Sequence, residues 1–153
     1  MRQTLQQDQG VQNGSTLVEL LVVLAILCAL GVLVLPAYQS QMLSARRGLA
    51  KLELLKIMTR QEQYFLNHLN YADSLVQLGF PGHPYSLTQD GNAVPASAAD
   101  SIYLIGLQAT SRRYIVTATP IGHQSRDAGC QIMSLASNGV RDSSGTHETQ
   151  RCW

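Results

Sequence analysis

The sequence predicts an α+β protein in which a long N-terminal α-helix, membrane-spanning in its first half, packs on a small antiparallel β-sheet. Three observations carry this. Residues 17–35 are apolar except for Glu19 and Gly31. From Met42 to Leu69 apolar residues recur mostly three or four apart among charged ones. The C-terminal half holds β-branched or aromatic runs of strand length bounded by turn residues.

The chain has 153 residues, a one-domain length. Charged residues make up 14%, against about 25% in an average globular protein, and the shortage is concentrated in the apolar run. A formal charge of +1 and a pI of 7.8 exclude a surface that is nucleic-acid footprint throughout, which normally lifts the pI above about 9.

Residues 1–14 are polar and Gln-rich, with Arg2 and Asp8 as their only ionisable side chains, and read as a leader. Ser15 and Thr16 stand where a helix takes its N-cap, and Glu19 falls near the first turn, where a negative charge suits the helix dipole. The run from Leu17 to Leu35 is about 28 Å long at 1.5 Å per residue, close to a bilayer core of about 30 Å. Residues 15–38 therefore form a transmembrane or assembly helix, and 39–71 its amphipathic continuation along Met42, Ala45, Leu49, Leu52, Leu55, Met58, Phe65 and Leu69. Pro36 is expected to bend the helix, because it lacks a backbone donor and clashes with the preceding turn, and Gly48 is a second soft point. Residues 72–153 make the head. Gly79, Pro81, Gly82 and Pro84 open a loop that continues through Pro95, strands are expected over 102–109, 114–119 and 131–136, and Asn138-Gly139 marks a turn. Tyr64, Phe65 and Tyr71 are expected to pack the helix on the sheet.

The stretch Gly14-Ser15-Thr16-Leu17-Val18-Glu19-Leu20, followed by an unbroken apolar helix, resembles the processing site of type IV pilins and pseudopilins. Pro36-Ala37-Tyr38 stands at that family's proline and tyrosine spacing. With Cys130, Cys152 and Trp153 near the C-terminus, the chain is most similar to minor pilins of the PilE type. The resemblance implies cleavage by prepilin peptidase after Gly14, modification such as methylation at Ser15, and transfer of the helix from the inner membrane into a pilus that serves adhesion or twitching motility. Its partners would be other pilin subunits and the assembly machinery. Ser15 stands where the family usually has Phe.

The resemblance also gives Glu19 a role. A carboxylate in a hydrocarbon helix costs about 2.5 to 3.5 kcal/mol at mid-bilayer, and the amine freed on Ser15 of a neighbouring subunit would offset that cost. An interfacial residue of an ordinary single-span anchor is the plainer alternative. A secretory signal peptide cut after Ala37 fits poorly, since Leu35-Pro36-Ala37 is not an Ala-x-Ala site. By the positive-inside rule Arg46, Arg47, Lys51, Lys56 and Arg60, against Glu53 alone, place the body in the cytoplasm. The leader and the cysteines instead imply a periplasmic head that becomes extracellular in the pilus.

Cys130 and Cys152 are expected to form a disulfide, which at this loop length contributes roughly 3 kcal/mol; a reduced pair is the alternative. Cys28 lies in the apolar helix as a small hydrophobe. No catalytic or cofactor motif is present: His68, His83, His123 and His147 never pair at i, i+4, and there is no phosphate loop, HExxH or CxxC. The expectation is therefore a non-enzyme without cofactor or metal; a metal site made from His147, Glu148 and Cys152 would compete with the disulfide, and solvated surface is the plainer reading. Arg112 and Arg113 beside Tyr114 read either as a solvated strand edge or as contacts to DNA phosphates. A type II secretion pseudopilin and a DNA-binding pilin for DNA uptake are the alternative functions.

Overall fold

The computed structural model describes residues 16–96 and 98–153, the side chains at positions 33, 34, 36 and 37 excepted. Gly14, Ser15 and the leader lie outside the described residues. The chain divides into two compact units, one ending at Gln39 and the other running from Ser40 to Trp153.

Helix α1 runs from Leu17 to His68. Thr16 caps it: its hydroxyl accepts the backbone N–H of Glu19 at 3.4 Å and its carbonyl accepts that of Leu20 at 3.2 Å. The helix continues through position 36. Within the first unit, Leu17, Leu20, Leu24, Leu27 and Leu30 are exposed, and Cys28 is a free, exposed thiol. Among the described residues no helix is long and apolar enough to cross a membrane. The described side chains from Leu17 run unbroken only to Val32, short of the about 20 residues a span needs, so the membrane-spanning first half is not part of what the structure carries.

In the second unit α1 buries Ala50, Leu54 and Ile57 completely, the i, i+4, i+7 spacing of one helical face. This shifts the expected stripe, of which Leu49 and Met58 pack against the core but only partly buried. Steps of three residues from Leu49 through Leu52 and Leu55 each fall about 60° short of a full turn, so that row drifts off the core. Leu52 is 66% exposed and Leu55 38%. Gln61 continues the buried face, donating to the Ala72 carbonyl and accepting the Ala72 N–H, both at 2.9 Å. It thereby closes the chain onto the helix where α1 ends, three residues before the expected limit near Tyr71.

The head sheet has six antiparallel strands: β1 (Tyr85–Thr88), β2 (Ala93–Pro95), β3 (Ser101–Ala109), β4 (Tyr114–Pro120), β5 (Met133–Ala136) and β6 (Arg141–Ser143), in spatial order β2-β1-β3-β4-β5-β6. The long strands β3 and β4 lie close to their expected positions. β1 and β2 occupy a stretch read as loop. They are too short to show a period, and β2 ends on a proline, tolerable only at a sheet edge. β6 is the opposite edge, polar and exposed. Inward residues alternate along the strands: Tyr85 and Leu87 on β1, Tyr103, Ile105 and Leu107 on β3, Val116 and Ala118 on β4, Met133 and Leu135 on β5. They meet Ala50, Leu54 and Ile57 in one core. Gly139, with φ of 80°, makes the expected turn after Asn138.

Candidate functional site

Two places gather functional chemistry. The first is the β3–β4 turn, which presents Arg112 and Arg113. Its backbone is held tightly: the N–H of Thr110 donates to the Arg113 carbonyl at 2.7 Å, and the Arg113 N–H donates to the Thr110 hydroxyl at 3.2 Å. The Tyr71 N–H reaches the Ser111 carbonyl at 3.3 Å and the Ser137 N–H reaches that of Tyr114 at 3.0 Å, so the turn is anchored from the helix side and from the β5–β6 turn. Between them lies a groove of about 710 Å³ lined by Tyr71, Gln108, Arg112, Arg113, Tyr114 and Asn138, among others.

Both arginines are exposed, and neither enters an ion pair among the described residues. They occupy a turn leading into an interior strand, which corrects the strand-edge alternative. The aromatic floor is ordered. Tyr71 meets Tyr114 edge-on at 4.8 Å and Phe65 at 4.8 Å, while Tyr64 stacks on His68 at 3.9 Å. The Tyr71 hydroxyl donates to Glu62 at 3.1 Å. Burial, then that bond, raises the Tyr71 pKa. Burial and, less strongly, the negative charge of Glu62 raise that of Tyr114, whose hydroxyl has no hydrogen-bond partner among the described residues. Tyr64 and Tyr71 pack against the core as expected. Nothing local in the sequence announced Tyr71, Gln108 and Asn138 as groove residues. They come together only through strand pairing and the end of α1.

The second place is the C-terminal staple. Cys130 and Cys152 form a disulfide with Cα atoms 5.5 Å apart, as expected, fastening the short helix α2 (Thr149–Cys152) to the body. Arg47 donates from Nη1 to Cys130 Sγ at 2.8 Å and pairs through Nε with Asp127 at 3.0 Å. Gln124, fully buried, donates from Nε2 toward the Leu43 carbonyl, the Tyr103 hydroxyl and Asp127. His147 comes within 4.8 Å of both cysteine sulfurs, whereas Glu148 does not join that cluster. Each sulfur is already bonded to the other, which removes the thiolates a metal would require. Lys51 lies nearby; burial, then Arg47 and Arg141, lower its pKa.

Of the remaining expected site residues, Glu19 is exposed on the first unit and Gly14 and Ser15 lie outside the described residues.

A family model described as the type IV minor pilin ComP, DNA uptake sequence receptor, matches residues 36–134. Among solved structures, a type IV pilin from Shewanella oneidensis aligns at 21% identity, covering 72% of this chain and 97% of that one with a TM-score of 0.48. No curated protein matches the sequence. The family match takes in the whole amphipathic half of α1, the Arg112–Arg113 turn, the first four strands, Cys130 and the start of β5, and on it the chain belongs to the family of type IV minor pilins described as ComP, DNA uptake sequence receptor.

Proposed function

We propose that this minor pilin enters the inner membrane through residues 17–35 with its head in the periplasm, is cut after Gly14 by prepilin peptidase, and moves into the pilus as the apolar helix exchanges lipid for other subunits. The observation that carries this is the exposure of Leu17, Leu20, Leu24, Leu27 and Leu30 in the first unit. Exposed apolar surface on this scale needs either a bilayer or other helices to cover it. Glu19, exposed in the same stretch, pairs with the new amine of Ser15 on a neighbouring subunit. Pro36 and Ser15 keep their proposed roles as a bend and as the modified terminus. N-terminal sequencing and intact mass of the protein recovered from cells test this: the mature chain starts at Ser15, and a chain still beginning at Met1 overturns it. Changing Glu19 to Gln is expected to abolish incorporation into pili while leaving the fold of residues 40–153 intact, since Glu19 belongs to the other compact unit.

A second role is favoured by the Arg112–Arg113 turn. Two exposed guanidinium groups with no ion pair among the described residues, lining an aromatic-floored groove, suit a polyanion, and the family's description names a DNA uptake receptor. The head therefore receives DNA at this turn, with phosphates on Arg112 and Arg113. Salt-dependent binding of duplex DNA by the full chain in detergent supports the role, and no binding at low salt overturns it.

A further inference from the structure

Helix α1 ends in an unusual way. Its last turn is closed by the Leu69 N–H donating to the Phe65 carbonyl at 2.8 Å, and Leu69 itself adopts φ of 55°. That is the left-handed cap position where glycine is the ordinary occupant, because a side chain there crowds the following carbonyl. The leucine gains nothing from the fold in return. It is 80% exposed, and Leu66, three residues earlier, is 79% exposed. Two bare leucines, one of them on strained backbone, thus stand at the end of α1.

The neighbourhood supplies the occupant. Two residues beyond Leu69, Tyr71 is bonded through its N–H to Ser111 in the turn that carries Arg112 and Arg113, and it lines the same groove. Through that bond the exposed end of α1 is tied to the turn whose two cations enter no ion pair among the described residues. The nearby acid on α1, Glu62, already accepts the Tyr71 hydroxyl. An apolar protein face would cover the leucines but leave the guanidinium groups without counter-charge. A DNA duplex satisfies both, since it offers phosphates to arginines and, between base pairs, an apolar slot that leucine wedges enter, kinking the helix.

We infer that Leu69, supported by Leu66, is an apolar wedge that enters a base-pair step of duplex DNA while Arg112 and Arg113 hold the flanking phosphates. The inference rests on the DNA-receiving role proposed above. It assigns these leucines, and not the arginines, the distortion of the duplex.

The test uses the full chain in detergent and a duplex carrying 2-aminopurine, whose fluorescence rises when its base step is unstacked, together with end-to-end energy transfer to read bending. The native chain is expected to brighten the probe and shorten the duplex. Leu69→Gly suits the backbone at that position and so keeps the fold. It is expected to lose both signals and about tenfold or more in affinity, the low end of what a buried leucine is worth. Leu66→Ala is expected to weaken them, and Leu69→Phe, a larger wedge, to retain them. Native chain that binds DNA without either signal, or Leu69→Gly that binds and bends DNA unchanged, overturns the wedge while leaving DNA reception standing. No DNA binding by the native chain at low salt overturns both.

Discussion

The Tyr85 hydroxyl donates to Glu53 Oε1 at 2.6 Å, joining β1 to α1 from inside the core. Both residues are buried, and the carboxylate is also reached by Lys56 Nζ at 3.2 and 3.4 Å. A buried acid on a helix is tolerated here because each oxygen has a partner. Tyr85→Phe removes one bond and leaves the carboxylate with Lys56 alone, an expected loss of about 1.5 to 3 kcal/mol, since the acceptor is charged. Glu53→Ala orphans the hydroxyl instead, at about 1 to 3 kcal/mol plus the cavity. Urea titrations of the two single variants and the double variant check this. A coupling energy near zero would mean that the bond does not hold β1 to the helix.

Tyr85, Tyr103 and Tyr114 are the largest fully buried side chains of the core, and burial raises the pKa of each, that of Tyr103 to about 12. In the unfolded chain all three ionise near about 10. Below that pH both states hold the protons and nothing is lost. As the pH rises from about 10 to 12 the unfolded chain releases protons that the folded one retains, so stability falls through this window. Denaturation midpoints at pH 9, 10.5 and 11.5 should decline in that order, with phenolate absorbance appearing for these residues only on unfolding.

The Arg47–Asp127 pair sits beside the disulfide with both side chains largely buried. Replacing Arg47 with Met leaves Asp127 uncompensated and withdraws the donor to Cys130 Sγ; the expected cost is about 3 to 5 kcal/mol. Replacing both cysteines with serine costs roughly 3 kcal/mol through the 22-residue separation that the bond closes. The two changes act on the same C-terminal segment, so their combination should fall short of the sum. Thermal unfolding of the three variants decides it; strict additivity would separate the ion pair from the staple.

What the sequence made legible and what it hid divide along physical lines. The 52-residue helix and the strands β3 and β4 were legible because their apolar periods persist for several turns or pleats. The Cys130–Cys152 staple and the Asn138-Gly139 turn were legible because few residue types do those jobs. β1, β2 and β6, of four, three and three residues, were not; their stability is borrowed from pairing with longer strands. The core face of α1 was misplaced because leucines stand on more than one side of the helix, and only Tyr85 and the Ala72 loop decide that Glu53 and Gln61 turn inward. The arginine turn was visible as a dipeptide, but its groove depends on Tyr71 and Asn138, far apart in the chain.

Leu69 also yields a stability prediction independent of any ligand. Left-handed backbone costs a non-glycine residue about 1 to 2 kcal/mol, whereas glycine raises the entropy of the unfolded chain by about 0.4 to 1 kcal/mol. Leu69→Gly is therefore expected to stabilise the head by roughly 0.5 kcal/mol, and Leu69→Ala, which keeps the strain and loses only exposed surface, to change little. Differential scanning calorimetry of both variants checks the order. Destabilisation by glycine would mean that the leucine contributes to the fold.

Arg112 and Arg113 give the sharpest reading of the DNA role, because phosphate contacts leave a signature apart from affinity. Each phosphate neutralised releases counterions, and the slope of log K against log salt changes by about 0.9 per contact. Arg112→Ala and Arg113→Ala are each expected to flatten that slope by about 0.9 and to weaken binding to every duplex alike, since phosphates carry no sequence. The turn keeps its shape in both variants, because its bonds run through Thr110, Ser111 and the Arg113 backbone and not through either guanidinium. Anisotropy titrations at three salt concentrations, with two unrelated duplexes, separate the outcomes. An unchanged slope in both variants would remove the arginines from the interface, and a loss confined to one duplex would make them base readers instead of phosphate clamps.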